Sequence, residues 1–92
     1  MILWDEEKNT KLRKERAVCF EEVVERIVNG EILDILEHRA RKNQKIFVVV
    51  LNGRVHAVPF ISDEGGNIFL KTIYPSRRLQ RRYGKIQDQT KA

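Results

Sequence analysis

The dipeptide Asn52-Gly53 stands between two apolar runs and is the feature that most restricts the fold. The run before it is "KIFVVVL" (45–51), and the run after it is "RVHAVPFI" (54–61). Asn-Gly is the strongest short-range signal for a two-residue type I′ turn, because both residues accept positive φ angles. The continuous apolar character of the first run is typical of a central strand. The sequence therefore predicts an antiparallel hairpin in the middle of the chain.

Further strands are predicted on both sides of this hairpin. The stretch "EILDILEH" alternates weakly and indicates an edge strand, and "IFLKTIY" after the turn "SDEGGN" predicts a half-buried or buried strand. Ile2-Leu3-Trp4 predicts a short edge strand at the start of the chain. Pro59 has no amide hydrogen, so we expect an edge position or a bulge there.

Three helices complete the predicted order β-α-α-β-β-β-β-α. Asp5 caps "EEKNTKLRKER", which is polar almost all round, and "FEEVVERIVNG" has one apolar face and ends at Gly30. After Pro75, Ser76 caps the short helix "SRRLQRRYGK". In that helix, Leu79 and Tyr83 lie four residues apart, so we expect them to dock it on the sheet.

The predicted fold class is α+β, with two N-terminal helices, a mainly antiparallel four-stranded sheet plus the short first strand, and a basic C-terminal helix. A chain of 92 residues is one domain, residues 1–92. Residues 85–92 are expected to be a frayed tail.

The positive charge is concentrated at the C-terminal end of the chain. The net charge is +5; residues 71–92 carry seven basic residues and one acidic residue, whereas residues 1–70 carry eleven basic and twelve acidic residues. This asymmetry favours a polyanionic partner, either nucleic acid or an acidic protein. The alternative is a basic helix whose charged face is simply solvated.

Several classes of site are not indicated by the sequence. The two histidines are 18 residues apart with no cysteine near them, so no zinc site is predicted, and no phosphate-binding loop or serine nucleophile motif is present. The single cysteine, Cys19, indicates a reducing compartment and is expected to be a buried thiol. We expect no signal peptide and no membrane span.

The basic residues suit the cleavage of RNA without a metal. That reaction needs proton transfer to and from oxygen, and cations that stabilise the charge that develops on the phosphate. His38 is the candidate for proton transfer, and His56 is expected to be a packed histidine. Lys71 interrupts an apolar strand and Arg77 opposes the helix dipole, so both are candidates for phosphate binding.

The remaining candidates share a positive charge or an aromatic ring that can stack on a base. These RNA-binding candidates are Lys45, Tyr74, Arg78, Arg81, Arg82 and Tyr83.

Motifs near both ends of the chain follow a known pattern. "WDEEKN" begins at Trp4, "VCFEEV" begins fourteen residues later, and "KTIYPSRRLQRRY" ends at Tyr83. The chain thereby resembles the BrnT-like toxins, in which W-D-x-x-K is followed by K-H-G-V-x-F-E-E and a closing basic helix carries arginine and R-R-Y elements. The positions that match are Trp4, Asp5, Lys8, Val18, Phe20, Glu21 and Glu22 at the front, and Arg77, Arg82 and Tyr83 at the back.

The resemblance implies a RelE-like fold and the toxin role in a bacterial type II toxin–antitoxin pair. Such toxins are cytoplasmic endoribonucleases that cleave mRNA, free or on the ribosome, and stop translation without a metal or other cofactor. The implied partners are RNA and a cognate antitoxin, often of the ribbon-helix-helix class, through which the complex reaches operator DNA. No membrane is involved.

The chain departs from the pattern at three positions that bear on activity. Arg16 and Ala17 stand where the family has histidine and glycine, so a potential functional group is absent and the turn at Ala17 is expected to be strained. Thr72 stands where typical members have arginine, next to Lys71. A non-catalytic module that binds RNA or protein is the alternative, and convergence of His38, Lys71 and Arg77 on one concave surface would favour the enzyme.

Overall fold

The structure, a computed structural model, describes the backbone of residues 1–91 and the side chains of residues 1–84. It confirms the α+β class. The helices are α1 (Glu6–Arg16), α2 (Phe20–Val28) and α3 (Arg77–Lys91). The strands are β1 (Ile2–Leu3), β2 (Asp34–Glu37), β3 (Gln44–Leu51), β4 (Arg54–Ser62), β5 (Ile68–Leu70) and β6 (Tyr74–Pro75). The backbone of α3 continues to Lys91, past the end at Lys85 that the sequence predicts. Ala92 and the side chains of residues 85–91 lie outside the described residues, so the fraying predicted for residues 85–92 stays a prediction.

One mixed, mostly antiparallel sheet has the strand order β1-β5-β4-β3-β2, and β6 pairs with the other half of the β4 edge that β5 occupies. The predicted hairpin is confirmed, since β3 and β4 pair along their length and both Asn52 (φ 53°) and Gly53 (φ 74°) have positive φ angles. Strand β2 is an edge strand, as predicted, and so is β1, which pairs with β5 in parallel.

Pro59 lies inside the sheet, so the expectation of an edge position is wrong. It pairs with Ile46 of β3, and on its other side its carbonyl accepts the amide hydrogen of Lys71 at 2.8 Å. Such a pair normally exchanges two hydrogen bonds, and Pro59 cannot donate the second one. The neighbouring strand is divided at this point: β5 ends at Leu70 and β6 begins at Tyr74. The single strand predicted over residues 68–74 is therefore two short strands with a gap opposite Pro59.

The two faces of the sheet carry separate hydrophobic clusters because side chains alternate along each strand. Helices α1 and α2 cover one face, and α3 covers the other. The first cluster is made by Leu12, Val18, Phe20, Val23, Phe47, Val49, Leu51, Val58, Phe60, Leu70 and Ile73. The second is made by Val48, Val55, Ala57, Leu79 and Tyr83. The predicted docking residues of α3 are confirmed by this second cluster.

The turn between α1 and α2 is held by buried and strained residues. Asn9 is fully buried; its Oδ1 accepts the amide hydrogen of Phe20 at 2.7 Å, and its Nδ2 donates to Glu21 at 2.8 Å. Asn9 thus caps α2, whose own capping residue, Cys19, makes no capping bond through its side chain. Ala17 has φ 55°, so the left-handed strain expected there is confirmed.

Helix α3 has one capping bond at its start and two polar contacts with the sheet. Ser76 Oγ accepts the amide hydrogen of Leu79 at 3.2 Å and caps the helix. The Oε1 atom of Gln80 accepts the amide hydrogen of Val55 at 2.8 Å, where β4 extends past the end of β6. The Tyr83 hydroxyl donates to Asp34 at 2.6 Å. No helix within the described residues has the length and apolar character needed to cross a membrane.

Candidate functional site

Two adjoining cavities lie beside α3 on its face of the sheet, and we call them together the basic groove. One, of about 530 Å³, is lined by Leu36, Glu37, His38, Arg39, Ile46, Tyr74, Arg78 and Arg82. The other, of about 360 Å³, is lined by His38, Arg41, Gln44, Pro59, Lys71, Thr72 and Tyr74. His38 and Tyr74 belong to both cavities, so the two form one continuous surface.

His38 is fixed in this groove by the loop that follows it. The amide hydrogen of His38 reaches the carbonyl of Gln44 at 3.1 Å, which extends the pairing of β2 and β3. Its Nδ1 accepts the amide hydrogens of Ala40 at 3.1 Å and Arg41 at 3.2 Å. A ring nitrogen that accepts hydrogen bonds carries no proton, so in the neutral ring the proton is on Nε2. His38 can therefore donate a hydrogen bond through Nε2 but offers no free lone pair to act as a base.

Lys71 lies beside an accessible aromatic ring at the edge of the groove. Its ammonium group is 5.2 Å from the centre of the Phe69 ring, and Tyr74 lines the same cavity as Lys71. The exposed fractions of Phe69 and Tyr74 are 38% and 36%, so both rings are accessible. An accessible cation close to accessible rings is suited to a single-stranded nucleic acid, in which phosphates alternate with bases that stack.

Arg78 and Arg82 extend the groove along α3. They lie four residues apart and so share one flank of the helix, and both are exposed. Among the described side chains, the ion pairs are made by Arg13 and Arg26, neither of which lines the groove. Within that part of the chain, the arginines of the groove make no ion pair, and Glu37 is the acidic residue in the lining.

Arg77, by contrast, does not join His38 and Lys71. With Arg81 it lies on the opposite flank of α3, where both line a separate cavity of about 220 Å³ together with Arg54 and Ser76. The expected convergence of three catalytic candidates is thus reduced to two, His38 and Lys71. The reason is the helical period, which turns the side chains of Arg77 and Arg78 about 100° apart around the axis of α3, so that they line different cavities.

Besides Arg81, two further RNA-binding candidates lie outside the groove. Lys45 is exposed, but its neighbours Gln44 and Ile46 line the groove, and the alternation of side chains therefore puts Lys45 on the opposite face of the sheet. Tyr83 is 6% exposed and its hydroxyl is bound to Asp34, so its ring is part of the core. Tyr74, Arg78 and Arg82 are the RNA-binding candidates that line the groove.

Sequence reasoning missed other residues of this surface. Arg39 and Arg41 lie in the loop between β2 and β3, and the basic run "RARK" was a signal that a hairpin loop would carry charge to the end of β2. Phe69 was read as a strand residue without regard to its face. Its exposure could have been inferred from its alternation with Leu70, which is fully buried.

The arrangement can bind a phosphate chain and donate hydrogen bonds to it. Arginine and lysine supply charge-assisted hydrogen bonds, and the Nε2–H group of His38 supplies a neutral donor. Among the described residues, no group of three or more histidine, cysteine, aspartate or glutamate side chains is placed to hold a metal ion.

Comparisons with known proteins add no relative to this description. No protein-family model matches the sequence, and no curated protein or solved structure matches it either.

Proposed function

We propose that the protein binds single-stranded RNA in the basic groove and cleaves it, as the toxin of a type II toxin–antitoxin pair. The observation that carries the proposal is the groove that His38 and Lys71 share, with the accessible ring of Phe69 beside Lys71 and that of Tyr74 in the same lining. The resemblance of "WDEEKN", "VCFEEV" and "KTIYPSRRLQRRY" to the BrnT-like toxins, and with it a RelE-like fold, supports the same function.

Each groove residue has a role in this proposal. Lys71 and Arg78 bind the phosphate, Phe69 and Tyr74 stack on the flanking bases, and the Nε2–H group of His38 donates a hydrogen bond to the oxygen that leaves. The 2′-oxygen forms a bond to phosphorus, and the bond to the 5′-oxygen breaks. Solvent water takes the proton of the 2′-hydroxyl and returns a proton to the 5′-oxygen. The products are a 2′,3′-cyclic phosphate and a 5′-hydroxyl end.

The proposed setting is the cytoplasm, where mRNA and a cognate antitoxin are the partners. The lone cysteine agrees with a reducing compartment. An antitoxin of the ribbon-helix-helix class would cover the groove with acidic side chains, and the complex would reach operator DNA through the antitoxin.

The test is cleavage of an unstructured RNA by the purified chain in EDTA, with and without ribosomes. We expect 5′-hydroxyl ends and a loss of cleavage of at least about tenfold in Lys71→Ala, since one charge-assisted contact corresponds to more than about 1.4 kcal/mol. Lys45→Ala is the matched control. Lys45 is also an exposed lysine of the sheet region, but it lies in β3 on the face opposite the groove.

Two results would overturn the proposal. Equal losses in Lys71→Ala and Lys45→Ala would mean that general positive charge, and not the groove, binds the RNA. No cleavage in either condition by the unaltered chain would remove the enzymatic part.

The second candidate function is a non-catalytic module that binds RNA. It is favoured by the position of Arg77 in a separate cavity and by the occupied Nδ1 of His38, which leaves the groove without a base among its histidines. RNA binding that is weakened in Lys71→Ala, with no cleavage, would identify this function.

A further inference from the structure

The second histidine, His56, lines a small cavity that is separate from the basic groove. The cavity has a volume of about 250 Å³ and is lined by Arg16, Asn52, Arg54, His56 and Pro75. We call it the arginine cavity. It shares no lining residue with the basic groove, because Tyr74 faces the groove and Pro75 faces the cavity.

His56 presents a lone pair to this cavity. Its Nδ1 is 2.8 Å from the carbonyl of Arg54, and a carbonyl can only accept, so Nδ1 carries the proton. Burial is the main cause that lowers the pKa of His56. The hydrogen bond to the Arg54 carbonyl and the charge of Glu22 oppose it, and the positive charges of Arg54 and Arg16 lower the pKa further. The ring is therefore neutral near pH 7, and Nε2 is an acceptor.

The Nε2 atom has no partner within the described residues, although the side chain is only 4% exposed. Every fully buried side-chain nitrogen or oxygen in that part of the chain does have a partner. The Nε2 atom must therefore reach the cavity surface, where a ligand can donate a hydrogen bond to it. A ligand that donates to Nε2 would take the place of solvent at this acceptor.

Arg16 is positioned at the same cavity by a hydrogen bond to the segment between β5 and β6. Its guanidinium donates to the carbonyl of Ile73 at 2.6 Å, in the segment between β5 and β6. The remaining N–H groups of Arg16 are available for an anion, since guanidinium has five. Arg54 also lines the cavity, and its guanidinium has no ion-pair partner among the described residues.

We propose that the arginine cavity binds a ribonucleotide through its phosphate and the neighbouring 2′-hydroxyl, with Arg16 and Arg54 on the phosphate and Nε2 of His56 accepting from the hydroxyl. Arginines require an anion, the imidazole lone pair requires a hydrogen donor, and a ribose phosphate carries both on adjacent carbon atoms. A deoxyribonucleotide carries only the anion, so the cavity distinguishes RNA from DNA. The inference rests on the proposed function in taking RNA as the ligand.

The test compares uridine 3′-monophosphate, its 2′-deoxy analogue and inorganic phosphate, titrated into the full chain labelled with ¹⁵N. We expect the ribonucleotide to bind about tenfold more tightly than the deoxy analogue, the factor that one hydrogen bond of about 1.4 kcal/mol gives. The Nε2 resonance of His56 should move with the ribonucleotide and stay in place with the deoxy analogue. Equal affinities, or an unmoved Nε2 resonance, would overturn the proposal.

The variants test the arginine cavity itself. His56→Ala opens the core and is unsuitable alone, so Arg54→Gln is the main variant. Its control is Lys14→Gln, because Lys14 is an exposed basic residue of α1 that lines neither the arginine cavity nor the basic groove. Arg54→Gln should weaken mononucleotide binding at least about fivefold, and Lys14→Gln should leave it unchanged. An equal effect of both variants would contradict the assignment.

The outcomes also separate this inference from the proposed function. Discrimination between the ribonucleotide and the deoxyribonucleotide without RNA cleavage would support the cavity and remove the nuclease. Cleavage that depends on Lys71, without such discrimination, would support the nuclease and remove the cavity.

Discussion

His38 and His56 are held in opposite tautomers by the backbone atoms beside them. His38 Nδ1 accepts from two amide hydrogens, whereas His56 Nδ1 donates to a carbonyl. The free nitrogen of His38 is therefore a donor that faces the basic groove, and the free nitrogen of His56 is an acceptor that faces the arginine cavity. A ligand therefore meets a hydrogen-bond donor at His38 and a hydrogen-bond acceptor at His56.

The tautomers can be read directly from nitrogen resonances. In a long-range ¹H–¹⁵N spectrum at about pH 8, where histidine is ordinarily neutral, we expect the ring proton of His38 on Nε2 and that of His56 on Nδ1. The chain has two histidines, so His38→Asn assigns both signals. Two rings in the same tautomer would contradict the hydrogen bonds described here.

Arg78 and Arg77 form a matched pair for testing the path of the RNA. Both are exposed arginines in the first turn of α3, but they line different cavities. We expect Arg78→Ala to lower the slope of log affinity against log salt by about 0.7, the value for one contact with a single-stranded phosphate. Arg77→Ala should leave both slope and affinity for a short oligonucleotide nearly unchanged. Filter binding at several salt concentrations measures this, and equal slope changes would remove the groove as the path.

The bond between Tyr83 and Asp34 should make stability depend on pH at both extremes. The hydrogen bond from Tyr83 lowers the pKa of Asp34, and the same bond raises the pKa of Tyr83. The contribution of Asp34 is therefore present above its unfolded pKa and is lost as pH falls through the lower folded pKa. The contribution of Tyr83 is present below its unfolded pKa and is lost as pH rises through the higher folded pKa.

Tyr83→Phe tests this dependence by urea unfolding across the pH range. We expect a lower urea midpoint than the unaltered chain at neutral pH and a difference that shrinks in strong acid and strong alkali. Tyr74→Phe is the control, because the Tyr74 hydroxyl makes no described hydrogen bond and the ring is partly exposed. A constant difference at all pH values would mean that the Asp34 contact does not contribute.

Ala17→Gly should stabilise the chain, because Ala17 has a left-handed backbone. Relief of this conformation corresponds to about 1 kcal/mol, or a rise in Tm of about 5 °C for a domain of this size. Gly30→Ala is the reverse test: Gly30 has φ 71° and nothing within 4 Å of an added Cβ, so its expected cost, also about 1 kcal/mol, is due to the backbone alone. Thermal unfolding measures both, and a lower Tm in Ala17→Gly would contradict the assigned strain.

Much of the fold follows from local signals in the sequence. The hairpin at Asn52-Gly53, the caps at Asp5 and Ser76, and the end of α2 at Gly30 each depend on a few neighbouring residues. The division between β5 and β6 was not predicted, because it depends on Pro59, which comes before β5 in the chain and meets it only in the folded sheet.

The candidate site was predicted in part. The basic character of α3 and the isolated charge of Lys71 are features of one short segment of sequence. They singled out Arg78, Arg82 and Lys71, which line the groove. The separation of Arg77 from Arg78 depends on how α3 is rotated on the sheet. The arginine cavity depends on the packing of α1, which brings Arg16 to Arg54 and His56 of β4. Such a relationship between distant segments leaves no local pattern in the sequence.

Gln80 gives α3 a property that its charges do not. Its side chain acts as a strand partner for the amide of Val55, and withdrawal of the helix would leave a buried amide unpaired at a cost of about 1–3 kcal/mol. The helix therefore keeps a fixed position against the sheet, and the wall that α3 gives to the groove is rigid. Under the proposed function, an RNA in the groove has to adapt its own backbone to this wall.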